Sequence, residues 1–250
     1  MCLIAFAFTP GNDRQLVLAA NRDEFHDRPA RAMAWWRWPE GPLAGRDELA
    51  GGTWLAVARD GRWAAVTNFR DPRADTGARS RGDLPVGFFS EGLSPSDYAR
   101  DVYHDRSAFG PFNLLAGDRR SLWYCSTWSP PEAVAPGVHA LSNGLLDEGW
   151  PKSRRVSLAL QRLIDRPGAA DTRRLFELMD DRQTAADEEL PDTGVGLEIE
   201  RMLSAPFIVS PNYGTRCSTV LELGVINRAT ERRFSPDGQP IGELSYEFSR

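Results

Sequence analysis

Lysine is almost missing from this chain. Of its 30 basic residues only Lys152 is a lysine and the rest are arginine, a bias of the kind a GC-rich genome imposes, which cannot by itself single out an anion-binding patch. Cysteine is scarce too: Cys2, Cys125 and Cys217 are widely spaced, odd in number and form no C-x-x-C pair. That excludes a disulfide framework and predicts a reducing compartment, the cytoplasm. The three histidines, His26, His104 and His139, have no second ligand at close spacing and no haem-attachment motif, so the sequence assigns no metal and no cofactor. No apolar run is long enough to cross a membrane, and Leu3 to Phe8 lacks the basic flank and length of a signal segment. A net charge of -5 disfavours nucleic acid, which selects basic surfaces. The expected partner is a small-molecule ligand or substrate, hydrophobic in one reading, without stable membrane insertion; the oligomeric state is left open.

What is present is a chain of 250 residues, 41% hydrophobic and 26% charged, enough to bury a core without staples. With no internal repeat and no linker composition, residues 1–250 read as one domain. Leu3 to Phe8 and Leu16 to Ala20 flank the turn cluster Pro10 to Asp13 and predict a β-hairpin. Its antiparallel register sets Cys2 opposite Asn21 or Arg22. Two further hairpins are expected from Trp54 to Thr67 and from Phe112 to Cys125, with a helix between them starting at Ser94-Pro95. Apolar residues at helical spacing, Val156, Leu160 and Leu163, then Leu175, Phe176 and Met179, predict two amphipathic helices. Strands are expected to return in Phe207 to Val209, Cys217 to Leu223, Arg232 to Phe234 and Leu244 to Phe248. Strand-rich ends around a helical middle give an α+β class with helices packed on sheet faces.

Cys2 is where chemistry concentrates. A thiol attacks as thiolate and needs a base or a positive neighbour. Removal of Met1 would free an α-amino group of pKa about 7.7–8.0 on the same residue, whereas an amide nitrogen cannot be a base. Asn21-Arg22-Asp23-Glu24, at the end of the neighbouring strand, offers a guanidinium to favour thiolate and a carboxylate to hold an ammonium. The plainer alternative makes Cys2 a small apolar residue opening a buried strand, and the charged triplet a strand end leading into a loop.

The segments MCLI, AANRDEF with RP after it, AGRD followed by GGTWLAV, TNFRDP, SRG, FNLL, LSNG with WPK, and YGTRCSTV occur in this order between Met1 and Val220. Together they resemble the NRDE-motif family, also called the Transport and Golgi organisation protein 2 family. The resemblance implies a relative of the N-terminal-nucleophile hydrolases, with an αββα sandwich of two mostly antiparallel sheets between helical layers. The nearest analogy is to choloylglycine hydrolases and penicillin V acylases, which also begin Met-Cys. The family is linked to secretory-pathway organisation, lipid metabolism and haem handling.

Carried over residue by residue, the resemblance implies Cys2 as nucleophile, Arg22 and Asp23 holding its amine and thiolate, Asn143 as oxyanion donor and Arg216 as a late stabilising cation. One departure stands out. In the cysteine acylases the arginine and aspartate are separated, whereas Arg22 and Asp23 are adjacent and point to opposite faces of a regular strand. Asn21 and Asn68 are candidates for substrate contact, Asn68 being equally readable as a strand-terminating turn residue. Trp36, in the run Trp35-Trp36-Arg37-Trp38, is either part of a core-capping aromatic segment or a lip for an acyl chain, a porphyrin or a planar ring. Gly51-Gly52-Thr53-Trp54 has no phosphate-loop pattern and reads as close backbone packing. Cys125 and Cys217 read as core. Two functions follow: an amide hydrolase that uses Cys2 on a carbon–nitrogen amide, or a non-catalytic binding or trafficking protein that holds haem or an acyl lipid in the same cleft.

Overall fold

The computed structural model describes residues 2–36, 41–90, 92–166, 168 and 170–249. Its first half runs β1 (Cys2–Phe8), β2 (Arg14–Phe25), β3 (Ala30–Trp35), β4 (Leu43–Asp47), β5 (Leu55–Val57), β6 (Trp63–Asn68), α1 (Asp83–Ser90) and α2 (Pro95–His104). Strands β7 (Phe112–Gly117), β8 (Leu122–Ser126), β9 (Glu132–Ala133) and β10 (Gly137–Leu141) follow, then helices α3 (Pro151–Ile164), α4 (Thr172–Met179) and α5 (Leu197–Leu203). The chain closes with β11 (Tyr213–Gly224), β12 (Asn227–Phe234) and β13 (Pro240–Phe248).

Two antiparallel sheets result. One is a seven-stranded meander in strict chain order, β3 to β9; the other has six strands in the order β10-β1-β2-β11-β12-β13, so the N-terminal hairpin sits in its middle. Alternation along the strands decides the layers. In β1 and β2, Cys2, Ile4, Phe6, Leu16, Leu18 and Ala20 enter the core shared with the seven-stranded sheet. Leu3, Ala5, Ala7, Val17 and Ala19 face the other way, onto α3 and α4. The meander does the same in mirror fashion, burying Ala64, Val66, Leu114 and Cys125 against α1 and α2. The arrangement is helix, sheet, sheet, helix.

Local chemistry explains the element ends. The β1–β2 turn needs Gly11, whose φ of 86° is a left-handed conformation that costs glycine little. Ser94 caps α2 by accepting from the Asp97 amide at 3.2 Å, with Pro95 in the first turn. Phe207 to Val209 forms only a bridge, Val209 to Gly214, because Phe207 donates its amide to Asp181 and packs edge-on to Phe234. The short helix α5 carries no cap signal, which is why no helical pattern marks it in the sequence.

Candidate active site

Hairpin register carries the site. Cys2 pairs with Arg22 across β1–β2, and Arg22 pairs with Cys217 across β2–β11. Because β2 stays regular to Phe25, Arg22 continues the inter-sheet face of Leu18 and Ala20 and shares Cys2's side of the sheet. Asp23 still borders the cleft but turns its side chain to the helix face. There Thr215 Oγ1 donates to its Oδ1 at 2.7 Å. Between Thr215 and Cys217 the register of β11 slips by one residue, so Arg216 is a bulge residue. A bulge re-aims a side chain: the Arg216 guanidinium donates to the carbonyls of Phe25 at 2.7 Å and Arg28 at 3.1 Å and lines the same cleft as Cys2.

That cleft encloses about 450 Å³, within the range of small-molecule sites. Eight arginines line it against four carboxylates, so it is cationic in a chain whose net charge is negative. Arg22 is anchored by Asp47 at 3.3 Å and Glu24 at 3.8 Å, and Arg28 by Asp47 at 2.6 Å. Asp47 comes from the opposite sheet, where its other oxygen accepts the amides of Leu49 and Ala50 at 3.1 and 3.0 Å. Burial opposes its ionisation, but the Arg28 bond, the Ala50 amide and the charge of Arg22 outweigh it and hold its carboxyl below the usual range.

The cysteine itself is poised the other way. Burial pushes the Cys2 thiol up, Asp23 and Glu24 push with it, and Arg22 pulls against them. At neutral pH the resting group is a thiol, so attack requires a base. Burial also raises the Asp23 carboxyl, opposed by Lys152, the Thr215 hydrogen bond and Arg22.

The remaining candidates divide. Asn68 lines the cleft. Asn143 does not: it is fully buried, its Nδ2 donates to the Asn68 carbonyl at 2.9 Å and its own carbonyl accepts the Arg70 amide at 2.7 Å. Its amide is thus spent on the Asn68 backbone and does not line the cleft. Asn21 is not brought to the cleft either, since a regular β2 turns it onto the helices. Its Nδ2 donates to the carbonyls of Met179 and Pro206, both at 2.9 Å, and its Oδ1 accepts from Ser218 at 2.6 Å. Trp36 is outside the cleft lining, its indole donating to the Ala44 carbonyl at 3.1 Å and the Arg46 guanidinium lying 5.1 Å from its ring centroid. Trp35 caps the core edge-on to Phe248, whereas Arg37 and Trp38 lie outside the described residues. Cys217 is buried in the core and also lines the cleft, where burial and then the charge of Glu231 push its thiol well up. Among the described residues no cluster of three or more His, Cys, Asp or Glu side chains could hold a metal, and no helix is long and apolar enough to cross a membrane.

With the geometry in view, the comparison with known proteins is direct. The family model for Transport and Golgi organisation 2 matches residues 1–234. The chain belongs to that family. Among curated members of the Transport and Golgi organisation 2 family, the Bos taurus homolog is 33% identical over 246 residues, covering 88% of each chain. The Homo sapiens homolog is 32% identical over 242 residues, again covering 88% of each. Among solved structures, the Caenorhabditis elegans N-acylethanolamine-hydrolyzing acid amidase ortholog is similar over 88% of this chain and 92% of that chain, at 11% identity and a TM-score of 0.45. The span matched by the Transport and Golgi organisation 2 family takes in every cleft-lining residue except Ile241.

Among the cleft-lining residues that escape local sequence reasoning are Arg28, Asp47 and Arg81, and Lys152, which borders a separate chamber, escapes it too. Arg81 reaches the cleft because Gly52 and Gly82 meet backbone to backbone; a Cβ on Gly52 would lie 2.4 Å from the Gly82 carbonyl, and Thr53 donates to that carbonyl at 3.0 Å. Of the two glycines of GGTW, Gly52 is the closely packed one, whereas Gly51 faces open space and takes a φ of 81°. Each of the four sits in a segment that carries the family likeness or beside one, yet no spacing rule brings them together.

Proposed function

We propose that the chain is an N-terminal-cysteine amide hydrolase whose substrates carry an anionic group. The single observation supporting this most is Cys2 in register with Arg22 on the wall of a cleft lined by eight arginines. After removal of Met1, the α-amine takes the thiol proton and Sγ attacks the amide carbonyl carbon. The amine proton passes to the leaving nitrogen as the carbon–nitrogen bond breaks, and water then hydrolyses the thioester, releasing the acid and restoring the thiol. The carbonyl oxygen turned oxyanion lies among fixed donors of the cleft, where one such donor is worth about 2.7–4 kcal/mol of barrier. Guanidiniums not consumed by carboxylates, Arg81 and Arg216 among them, suit a carboxylate or phosphate on the substrate. Phe25 and Ile241, which are exposed at the cleft, suit an apolar portion beside it. Three free, buried cysteines fit a reducing compartment, and the cytoplasm is the site we assign.

The test is intact-mass measurement of protein from its own cells together with turnover of a panel of anionic amides. The expected result is loss of one methionine and abolition of turnover in Cys2→Ala with unchanged melting. Retained Met1 together with undiminished turnover in Cys2→Ala overturns the reading. The names of the relatives, which refer to transport and Golgi organisation, and the apolar rim support a second reading, a carrier for an acyl or haem-like ligand. Saturable binding of an acyl thioester or haemin with no turnover by the processed wild type selects it.

A further inference from the structure

We infer that the start of α3 carries a buried binding site for a single monatomic anion, chloride being the commonest, held between Lys152 and Arg70. The site stands apart from the cleft and from the reaction proposed there.

The chain writes its only lysine into the first turn of α3, directly after Pro151. A helix start is the positive end of the dipole, where a further cation is disfavoured and an anion is favoured. This start is also uncapped: Trp150 supplies no side-chain cap, and Pro151 has no amide hydrogen to offer. Lys152 is 1% exposed, and among the described residues its Nζ makes no hydrogen bond.

A second cation reaches the same place from another element. Arg70 follows β6; its side chain is 6% exposed, and its guanidinium carbon lies 4.8 Å from the ring centroid of Trp150, beside the helix start. Nη1 donates to Glu200 on α5 at 2.5 Å. Nε and Nη2, the other edge of the guanidinium fork, are buried and, among the described residues, unpartnered. Arg70, Lys152, Trp150 and Glu200 border one chamber of about 10 Å³.

Donors, charge and size decide what the chamber suits. Its carboxylate is committed: one Glu200 oxygen accepts from Arg70, and the other accepts the amide and hydroxyl of Thr193. Asp23 attracts Lys152 electrostatically but does not border the chamber. Burial lowers the Lys152 amine to about 8, so at pH 7 it is mostly ammonium, and two cations face one carboxylate. A water accepts from two donors and must place its own hydrogens on acceptors. A monatomic anion accepts from all three nitrogens and offsets the surplus charge. A phosphate or carboxylate matches the fork, but a space of this size suits one species no larger than about a water. Bound there, the anion ties α3 and α5 to the end of β6.

The test uses full-length protein freed of halide and melted at pH 7 while sodium chloride replaces sodium gluconate at constant ionic strength. Tm is expected to rise saturably, by about 2–4 °C once chloride exceeds its Kd about fivefold. Lys152→Met and Arg70→Met lose that increment, whatever their Tm in gluconate. Wild-type crystals grown in sodium bromide should show an anomalous peak within hydrogen-bonding distance of Lys152 Nζ and the Nε–Nη2 edge of Arg70, which decides the matter should neither variant fold. A chamber holding water without anomalous signal, equal Tm in chloride and gluconate, or an increment kept in full by both variants overturns the inference.

Discussion

The two helix–sheet layers of this sandwich are built from different materials. Under the meander, α1 and α2 cover an apolar face in which Phe88, Phe109, Phe112 and Cys125 pack together, and Cys125, with burial acting alone, has its thiol pushed up to about 12. Under the six-stranded sheet, the same kind of layer starts apolar, at Ala7, Val17, Ala5 and Ala19, and becomes polar toward the end that holds Cys2: Asn21, Asp23, Thr215, Ser218 and Lys152 are all buried there. A dry layer is cheaper, because buried polar groups must recover their desolvation through partners. The polar layer therefore depends on its partners, which Asn21, Asp23 and Ser218 find within it.

Changes on the two sides should therefore differ in kind. The largest difference is expected between the cysteines. Cys2→Ala should remove turnover of any amide the wild type hydrolyses, whereas Cys125→Ala should leave kcat and KM intact and cost about 1 kcal/mol in urea unfolding. Equal loss of activity in both would erase the distinction. Next come two substitutions matched in stability. Glu200→Gln breaks a buried ion pair with Arg70 and is expected to cost about 3–5 kcal/mol; Phe112→Ala is expected to cost about 3–5 kcal/mol by cavity formation. Only Glu200→Gln should also lower the titration midpoint of Lys152, which burial brings down to about 8 and the charge of Glu200 helps hold up.

A smaller effect is expected at the cleft wall. Arg216→Met should raise KM for substrates bearing a carboxylate or phosphate by about tenfold, the scale of one charge-assisted hydrogen bond, and leave neutral amides unaffected. A uniform change across both substrate sets would show that the bulge serves strand geometry instead.

The smallest lies at the edge of the same sheet. His139 on β10 stacks on Phe6 with centroids 5.2 Å apart and bonds Asp147 at 2.7 Å. Burial works against its charged form, but the Asp147 bond and the Ala135 carbonyl outweigh it, so its folded pKa is raised. The sign follows: the stabilisation is fully present below about 6.5, the unfolded value, and is lost as pH rises through the folded one. Thermal melts of the wild type should decline across that window relative to His139→Asn, and parallel curves would refute it.

Much of the architecture is legible locally because hairpins are local. The apolar run after Cys2, the turn at Gly11 and the apolar run ending at Ala20 bring Cys2 opposite Asn21 or Arg22, and the folded hairpin selects Arg22. Period-two and period-3.6 patterns mark the other hairpins, α3 and α4 in the same way. Legibility stops at α5, whose apolar residues are largely exposed, and at Asn21 and Asn143, whose amides are spent on carbonyls far along the chain.

By itself, then, the sequence determined the layered α+β class and narrowed the residue across from the first cysteine to Asn21 or Arg22, since both depend on alternation and on a turn only a few residues long. The tertiary structure decided the rest. Asp47 reaches Arg22 from the other sheet, a register slip turns Arg216 into the cleft, two glycines let Arg81 approach, and α3 brings Lys152 beside Arg70 and Glu200. Each depends on where separate elements pack against one another, and charges that close in space leave no periodic trace along the chain.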